Sequence, residues 1–203
     1  MAKTPPNRSS HRPQGRLIGY ARVSTDEQAT QAQEMELRSA GCDTIIQEHG
    51  SGASRARPAL SKLVLDIGAG DEVIVPSNTY IATWLAVTAV GATVVPVEPT
   101  PGGPNIDPDR IASAITPRTK AIMPVHLYGQ PADMDAIMAL AAKHGLKVVE
   151  DVAQAQGARV RGRRTGSLGD AGAHSFFPSK NLGGFGDGGL CATTDGELAE
   201  RML

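Results

Sequence analysis

From residue 72 onward, short apolar runs alternate with amphipathic stretches. Residues 72–75, 92–97, 120–125 and 147–150 are rich in Val and Ile and flanked by turn-forming residues, the pattern of buried strands. Three helices are predicted between them, over residues 79–90, from Asp107 to near Ile115, and from Asp133 to Lys143. Asp107 can accept backbone hydrogen bonds as an N-cap, Pro108 suits the first helical position, and Gly145 stops the third helix. Strands separated by helices of this length imply right-handed crossovers and a mostly parallel sheet, an α/β architecture. Such sheets bind ligands at the C-terminal ends of their strands. Thr79, Tyr80, His126, Asp151 and Ser175 all fall there.

Before this alternation the pattern differs. Residues 1–15 (MAKTPPNRSSHRPQG) have no periodicity and read as a disordered, weakly basic tail. Residues 17–23 form an apolar strand, and Thr25-Asp26-Glu27-Gln28 has capping-box spacing for a helix that Gly41 ends. Residues 44–47 read as a second strand, followed by a Gly/Ser/Arg loop and a helix opened by Pro58.

Composition narrows the function classes. The 203 residues carry 20 Lys and Arg against 21 Asp and Glu, a net charge of −1 that favours neither nucleic acid nor a membrane surface. Residues 1–66 hold 9 basic and 7 acidic side chains and the remainder 11 and 14, too small an asymmetry to argue DNA binding. Cys42 and Cys191 are far apart, so neither a disulfide framework nor a zinc site is expected. No apolar run reaches the length of a membrane span and the N-terminus lacks a signal-peptide apolar region, so the chain reads as cytoplasmic.

The candidate chemistry lies in residues 147–189, KVVEDVAQAQGARVRGRRTGSLGDAGAHSFFPSKNLGGFGDGG. An apolar run ends on Glu150 and Asp151, with Gln154 three residues past Asp151. A second run, residues 173–177, carries Ser175 and leads to Ser179, Lys180 and a glycine-rich loop. Taken singly, the carboxylates read as a solvated loop entry, the lysine as a surface residue, and GGFGDGG as a hairpin turn. In this order they suit pyridoxal 5'-phosphate. A carboxylate keeps the pyridine nitrogen protonated, a lysine forms a Schiff base, and a hydroxyl binds phosphate.

These residues, with GDEVIVPSNTYIAT, ITPRTKAIMPVHLYGQPADMDAI, HGLKVVEDVAQAQGA and SFFPSKNLGGFGDGG, resemble the DegT/DnrJ/EryC1/StrS sugar aminotransferase family, of the aspartate aminotransferase-like fold. The resemblance covers about residues 68–203 and implies an incomplete large domain of that fold over residues 67–203. It implies Lys180 as the catalytic Schiff-base lysine and Tyr80 as the aromatic stacked on the cofactor. Asp151 becomes the partner of the pyridine nitrogen, Gln154 the contact to the phenolic oxygen, and Ser175 a phosphate ligand. It also implies a keto-sugar nucleotide acceptor, an amino donor such as glutamate, and a homodimer, with no metal. His126 reads as a structural hydrogen-bonding residue, Trp84 as packing, and Arg161, Arg163 and Arg164 as a basic loop.

Residues 16–66 resemble the first part of the serine recombinase (resolvase/invertase) catalytic domain. The match rests on YARVSTDEQ and SGAS, with Arg22, Ser24 as a DNA-attacking nucleophile, Gln28, Ser51 and Arg57. GAGDEVIV fits both families, and PSNTYIATW follows it where a recombinase has its second arginine cluster. The chain is therefore expected to be a fusion of two truncated genes, or an inactive remnant. The upstream Gly-Thr/Ser phosphate-binding helix start and the C-terminal small domain of the aminotransferases are expected to be missing.

Overall fold

The structure, a computed structural model, describes residues 17–23, 35, 38, 39, 44–49, 67–186 and 188–202. Its strands are β1 (Leu17–Val23), β2 (Thr44–His49), β3 (Glu72–Pro76), β4 (Thr93–Val97), β5 (Thr119–Ile122), β6 (Lys147–Asp151), β7 (Arg159–Val160), β8 (Arg163–Arg164), β9 (Ala171–Ser175) and β10 (Gly188–Ala192). The continuous helices are α1 (Ile81–Ala89), α2 (Pro108–Ala114), α3 (Met134–His144) and α4 (Gly196–Arg201).

Eight strands make one sheet in the order β2-β1-β10-β9-β6-β5-β3-β4. β4, β3, β5, β6 and β9 are parallel neighbours, as the strand–helix alternation implies. β10 runs antiparallel to β9 and to β1, and β1 and β2 are parallel. The reversal follows from the connection, because residues 176–186 contain no crossover helix to carry the chain back before β10. The glycine-rich stretch is thus both the end of a hairpin loop and the loop that carries Lys180.

The central strands are covered on both faces, as their unbroken apolar runs require. Alternate side chains of β3 point to opposite faces. Val73 and Val75 pack with Val87 of α1, Ala92 and Ala121, whereas Ile74 packs with Ile111 of α2 and Met134, Ile137 and Ala141 of α3. On β9 and β10, Leu198, Ala199 and Met202 pack on Ala171 and Cys191. Burial pushes the Cys191 thiol up to about 11, so it is a packing residue and not a nucleophile.

The caps match their sequence signals. Asp107 accepts the backbone N–H of Asp109 with Pro108 at the first position of α2. Asp133 accepts that of Ala136, and Gly145 ends α3 in the left-handed conformation at φ 66°. Several boundaries differ from expectation. α1 begins at Ile81 because Tyr80 is extended (φ −70°, ψ 139°) and forms the N-cap. β5 ends at Ile122, before Pro124, and Val125 keeps only an isolated bridge to Asp151. β9 spans Ala171–Ser175, so Phe176 and Phe177 lie past its end.

The expected basic loop is instead the β7–β8 hairpin. Arg161 and Gly162 both have positive φ (47° and 82°), as a two-residue hairpin turn demands. Arg161 pairs with Asp135 of α3 at 2.8 Å, and Arg163 donates to the Ser167 carbonyl at 2.8 Å.

Candidate active site

Parallel strands deliver their last residues to one edge of the sheet, and the predicted site residues gather there. Asp151 is the last residue of β6 and lies opposite Ala173 of β9, two residues before Ser175. Successive strand side chains point to opposite faces, so the neighbours Glu150 and Asp151 have different fates.

Glu150 turns inward and is fully buried with His126. Its Oε2 accepts from His126 Nε2 at 2.9 Å and from the Gly166 N–H at 2.8 Å. Its Oε1 accepts from the N–H groups of Leu168 (2.7 Å) and Gly169 (2.8 Å). Burial drives the Glu150 pKa upward, but the bonds from His126, Gly169, Gly166 and Leu168 outweigh it and hold the carboxyl below its ordinary range. His126 Nδ1 accepts the Ala132 N–H at 3.0 Å, which assigns the ring proton to Nε2 and makes the imidazole a donor to Glu150. His126 is a structural residue, as its setting in the sequence suggests. GSLGD is the loop folded around the Glu150 carboxylate, and Gly166 is needed there. A Cβ at its φ of +86° would meet His174 Nε2 at 2.4 Å.

Asp151 faces the opposite way, toward α1. Its Oδ2 accepts from Thr83 Oγ1 at 2.9 Å, and its Oδ1 from the Ala153 N–H at 3.0 Å. Gln154 Oε1 accepts the Tyr128 N–H at 2.8 Å, which commits the amide oxygen and leaves the NH2 group as the donor end. Tyr128 adopts a left-handed φ of 55° to make that contact, an uncommon conformation for a bulky residue.

Lys180 lies in a turn, its N–H bonded to the Phe177 carbonyl at 2.8 Å. Its Nζ stands 5.8 Å from the centroid of the Tyr80 ring. Lys180 shares an open cleft of about 330 Å³ with Gln154, Tyr128, Gly129, Ser179 and Asn181. The loop turns tightly because Gly183 lies against Pro178, where a Cβ would meet the Pro178 carbonyl oxygen at 2.3 Å. Asp151 and Ser175 do not line that cleft. Ser175 Oγ accepts the Phe177 N–H at 3.3 Å, which leaves its own proton free to donate.

Gln156 Nε2 bonds the Ser175 carbonyl at 2.8 Å and ties β9 to the loop after Asp151. Sequence reasoning passed over Thr83, Gln156 and Tyr128. The signal for Thr83 was a hydroxyl on the helix stripe that also carries Val87, both buried. Of the recombinase set, Arg22 lies in β1, with its Cα opposite Glu48 of β2. Ser24, Gln28, Ser51 and Arg57 lie outside the described residues.

Comparison with known proteins completes the picture. The profile described as DegT/DnrJ/EryC1/StrS aminotransferase family matches residues 25–203, overlapping the segment that resembles recombinases. The chain is 58% identical over 163 residues to dTDP-3-amino-3,4,6-trideoxy-alpha-D-glucose transaminase of Streptomyces venezuelae, covering 79% of this chain and 42% of that protein. It resembles the crystal structure of S. venezuelae DesV in complex with a ketimine intermediate, with TM-score 0.68 and 62% identity over 71% of this chain and 39% of that one. Bacillus subtilis NtdA with bound cofactor PMP gives a TM-score of 0.65 and 42% identity over 71% of this chain and 32% of that one. The chain spans about two fifths of the length of the curated relative it matches. Profile, sequence identity and fold agree: the chain belongs to the DegT/DnrJ/EryC1/StrS aminotransferase family.

Proposed function

We propose that this chain carries the cofactor-holding part of an aminotransferase that moves an amino group from a donor such as glutamate to a keto-sugar nucleotide. The observation that carries this reading is Lys180 Nζ beside the Tyr80 ring, in a cleft shared with the donor end of Gln154. The relative named above is a transaminase of a nucleotide-linked amino sugar, which supports the substrate class.

The donor set fits pyridoxal 5'-phosphate. Around the strand ends stand a tethered carboxylate, a lysine amine, an amide NH2, a hydroxyl and an aromatic face. When bound, the cofactor supplies an electron sink that makes nitrogen transfer feasible. Asp151 would hold the proton on the pyridine nitrogen. Gln154 Nε2 would donate to the phenolic oxygen, and the Ser175 hydroxyl to the phosphate. Tyr80 would cover one face of the ring. Lys180 Nζ would anchor the cofactor covalently and, once released, move the proton between the carbon atoms that gain and lose nitrogen.

A second copy of the chain is the expected partner, in keeping with the family resemblance. Tyr128 and Phe185 stand about the cleft and its loop, 70% and 81% exposed, as residues awaiting cover. No helix among the described residues is long and apolar enough to cross a membrane. For residues 16–66 we retain descent from a serine recombinase, on the strength of YARVSTDEQ and SGAS. No recombination is expected, and a covalent DNA adduct on Ser24 would count against this.

The test is borohydride reduction of the chain mixed with pyridoxal 5'-phosphate, followed by peptide mapping. The expected result is a phosphopyridoxyl mass on Lys180 that vanishes in Lys180→Ala. Labelling that is absent from the native chain, or unchanged in Lys180→Ala, would overturn the reading.

A further inference from the structure

Thr83 is buried in the first turn of α1, where a valine of nearly the same shape would fill the space equally well. Its hydroxyl ignores its own helix and reaches Asp151 Oδ2, 68 residues away in sequence, at 2.9 Å. An ionised carboxylate only accepts, so Thr83 is the donor. That settles the second contact, between Thr79 Oγ1 and Thr83 Oγ1 at 2.9 Å. The Thr83 proton is already committed, so Thr79 donates to Thr83. The result is a directed relay from Thr79 through Thr83 to Asp151, and hydrogen bonds in such a chain polarise one another.

We propose that Thr83 is the positioning residue of the cofactor site. It fixes the rotamer of Asp151 and locks that carboxylate to the helix whose N-cap is Tyr80. Asp151 has one oxygen on Thr83 and the other on the Ala153 N–H. Without Thr83 the carboxylate retains only the local tether from its own loop and is free to rotate about its side-chain bonds. Tyr80 and Asp151 belong to different elements, α1 and β6, and the Thr83 hydroxyl joins them. The face and the edge of one bound ring would thereby be held in register. This proposal rests on the cofactor reading above.

The test uses the full chain with 13C-labelled aspartate, comparing Thr83→Val, which removes the hydroxyl, with Thr83→Ser, which keeps it. The Asp151 carboxyl resonance is identified by its loss in Asp151→Asn and is read without cofactor. Cofactor dissociation is read from the visible band of added pyridoxal 5'-phosphate. Thr83→Val is expected to move the resonance and weaken cofactor retention by about tenfold, the size of one hydrogen bond to a charged group. Thr83→Ser is expected to restore both. Thr79→Val, acting one bond further out, should move both in the same direction by less. An unmoved Asp151 resonance, unaltered retention in Thr83→Val, or Thr83→Ser behaving like Thr83→Val would each overturn the proposal. A native chain that binds no cofactor, while its Asp151 resonance still answers to Thr83, would overturn the cofactor reading and the role assigned to Thr83 with it.

Discussion

His126 Nε2 donates to Glu150 Oε2 across 2.9 Å with neither side chain exposed to solvent. Glu150 accepts four hydrogen bonds, three of them from the backbone of the GSLGD loop. A glutamine there would turn an NH2 group toward two donors. His126 could not relieve the clash by shifting its proton, because Nδ1 already accepts from Ala132. Glu150→Gln is therefore expected to lower the unfolding free energy by about 3 kcal/mol, the penalty of stranding buried donors. Urea unfolding measures it, and a loss under about 1 kcal/mol would show that the loop does not depend on this carboxylate.

Acid should destabilise the fold through His174. Burial holds its pKa down at about 4 against an ordinary 6.5, with Glu150 opposing the shift. Between these values the unfolded chain binds a proton that the folded chain refuses, so stability falls as pH drops from 6.5 toward 4. The full effect is about 3 kcal/mol. Glu150, whose folded pKa lies below 4.5, loses its contribution further down, as pH falls through that folded value. Denaturant midpoints at pH 7 and pH 5 should differ in the native chain, and His174→Gln should flatten that difference. An equal slope in both proteins would remove His174 as the cause.

Asp151→Asn separates anchoring from chemistry. The amide oxygen can keep one of the two contacts, from Thr83 or from Ala153, but an amide cannot hold a proton on the pyridine nitrogen as a carboxylate does. Attachment of pyridoxal 5'-phosphate to Lys180 is expected to persist, while any glutamate-driven conversion to pyridoxamine phosphate slows by on the order of a hundredfold. Undiminished conversion would count against the role given to Asp151.

The Lys180 loop depends on Gly183, whose missing Cβ admits the Pro178 carbonyl. Gly183→Ala has no steric freedom to exploit, since the clash is with backbone and not with a flexible side-chain tip. The loop is expected to shift at a cost of about 1–3 kcal/mol. Borohydride labelling of Lys180 should fall while the far-ultraviolet circular dichroism stays unchanged. Full labelling in that variant would show that the tight turn is dispensable.

The sequence alone determined what local chemistry controls. Val- and Ile-rich runs bounded by turn residues set β3, β4 and β6, and Asp107, Pro108, Asp133 and Gly145 set the ends of α2 and α3. The candidates Asp151, Gln154, Ser175 and Lys180 came from the order of these residues and the family resemblance, and the apolar runs before Asp151 and Ser175 placed those two at strand ends, where β6 and β9 finish. Long-range partners were not legible. Nothing in the local sequence says that Thr83 would meet Asp151, or that Glu150 would turn inward while its neighbour turned out toward α1. Those fates depend on which face each strand buries and on which helix lies over it. The tertiary structure also decided that β10 runs antiparallel between β9 and β1, so that the first two strands extend the same sheet. Pairing between distant segments is fixed by hydrogen bonds and burial that exist only once the sheet has assembled.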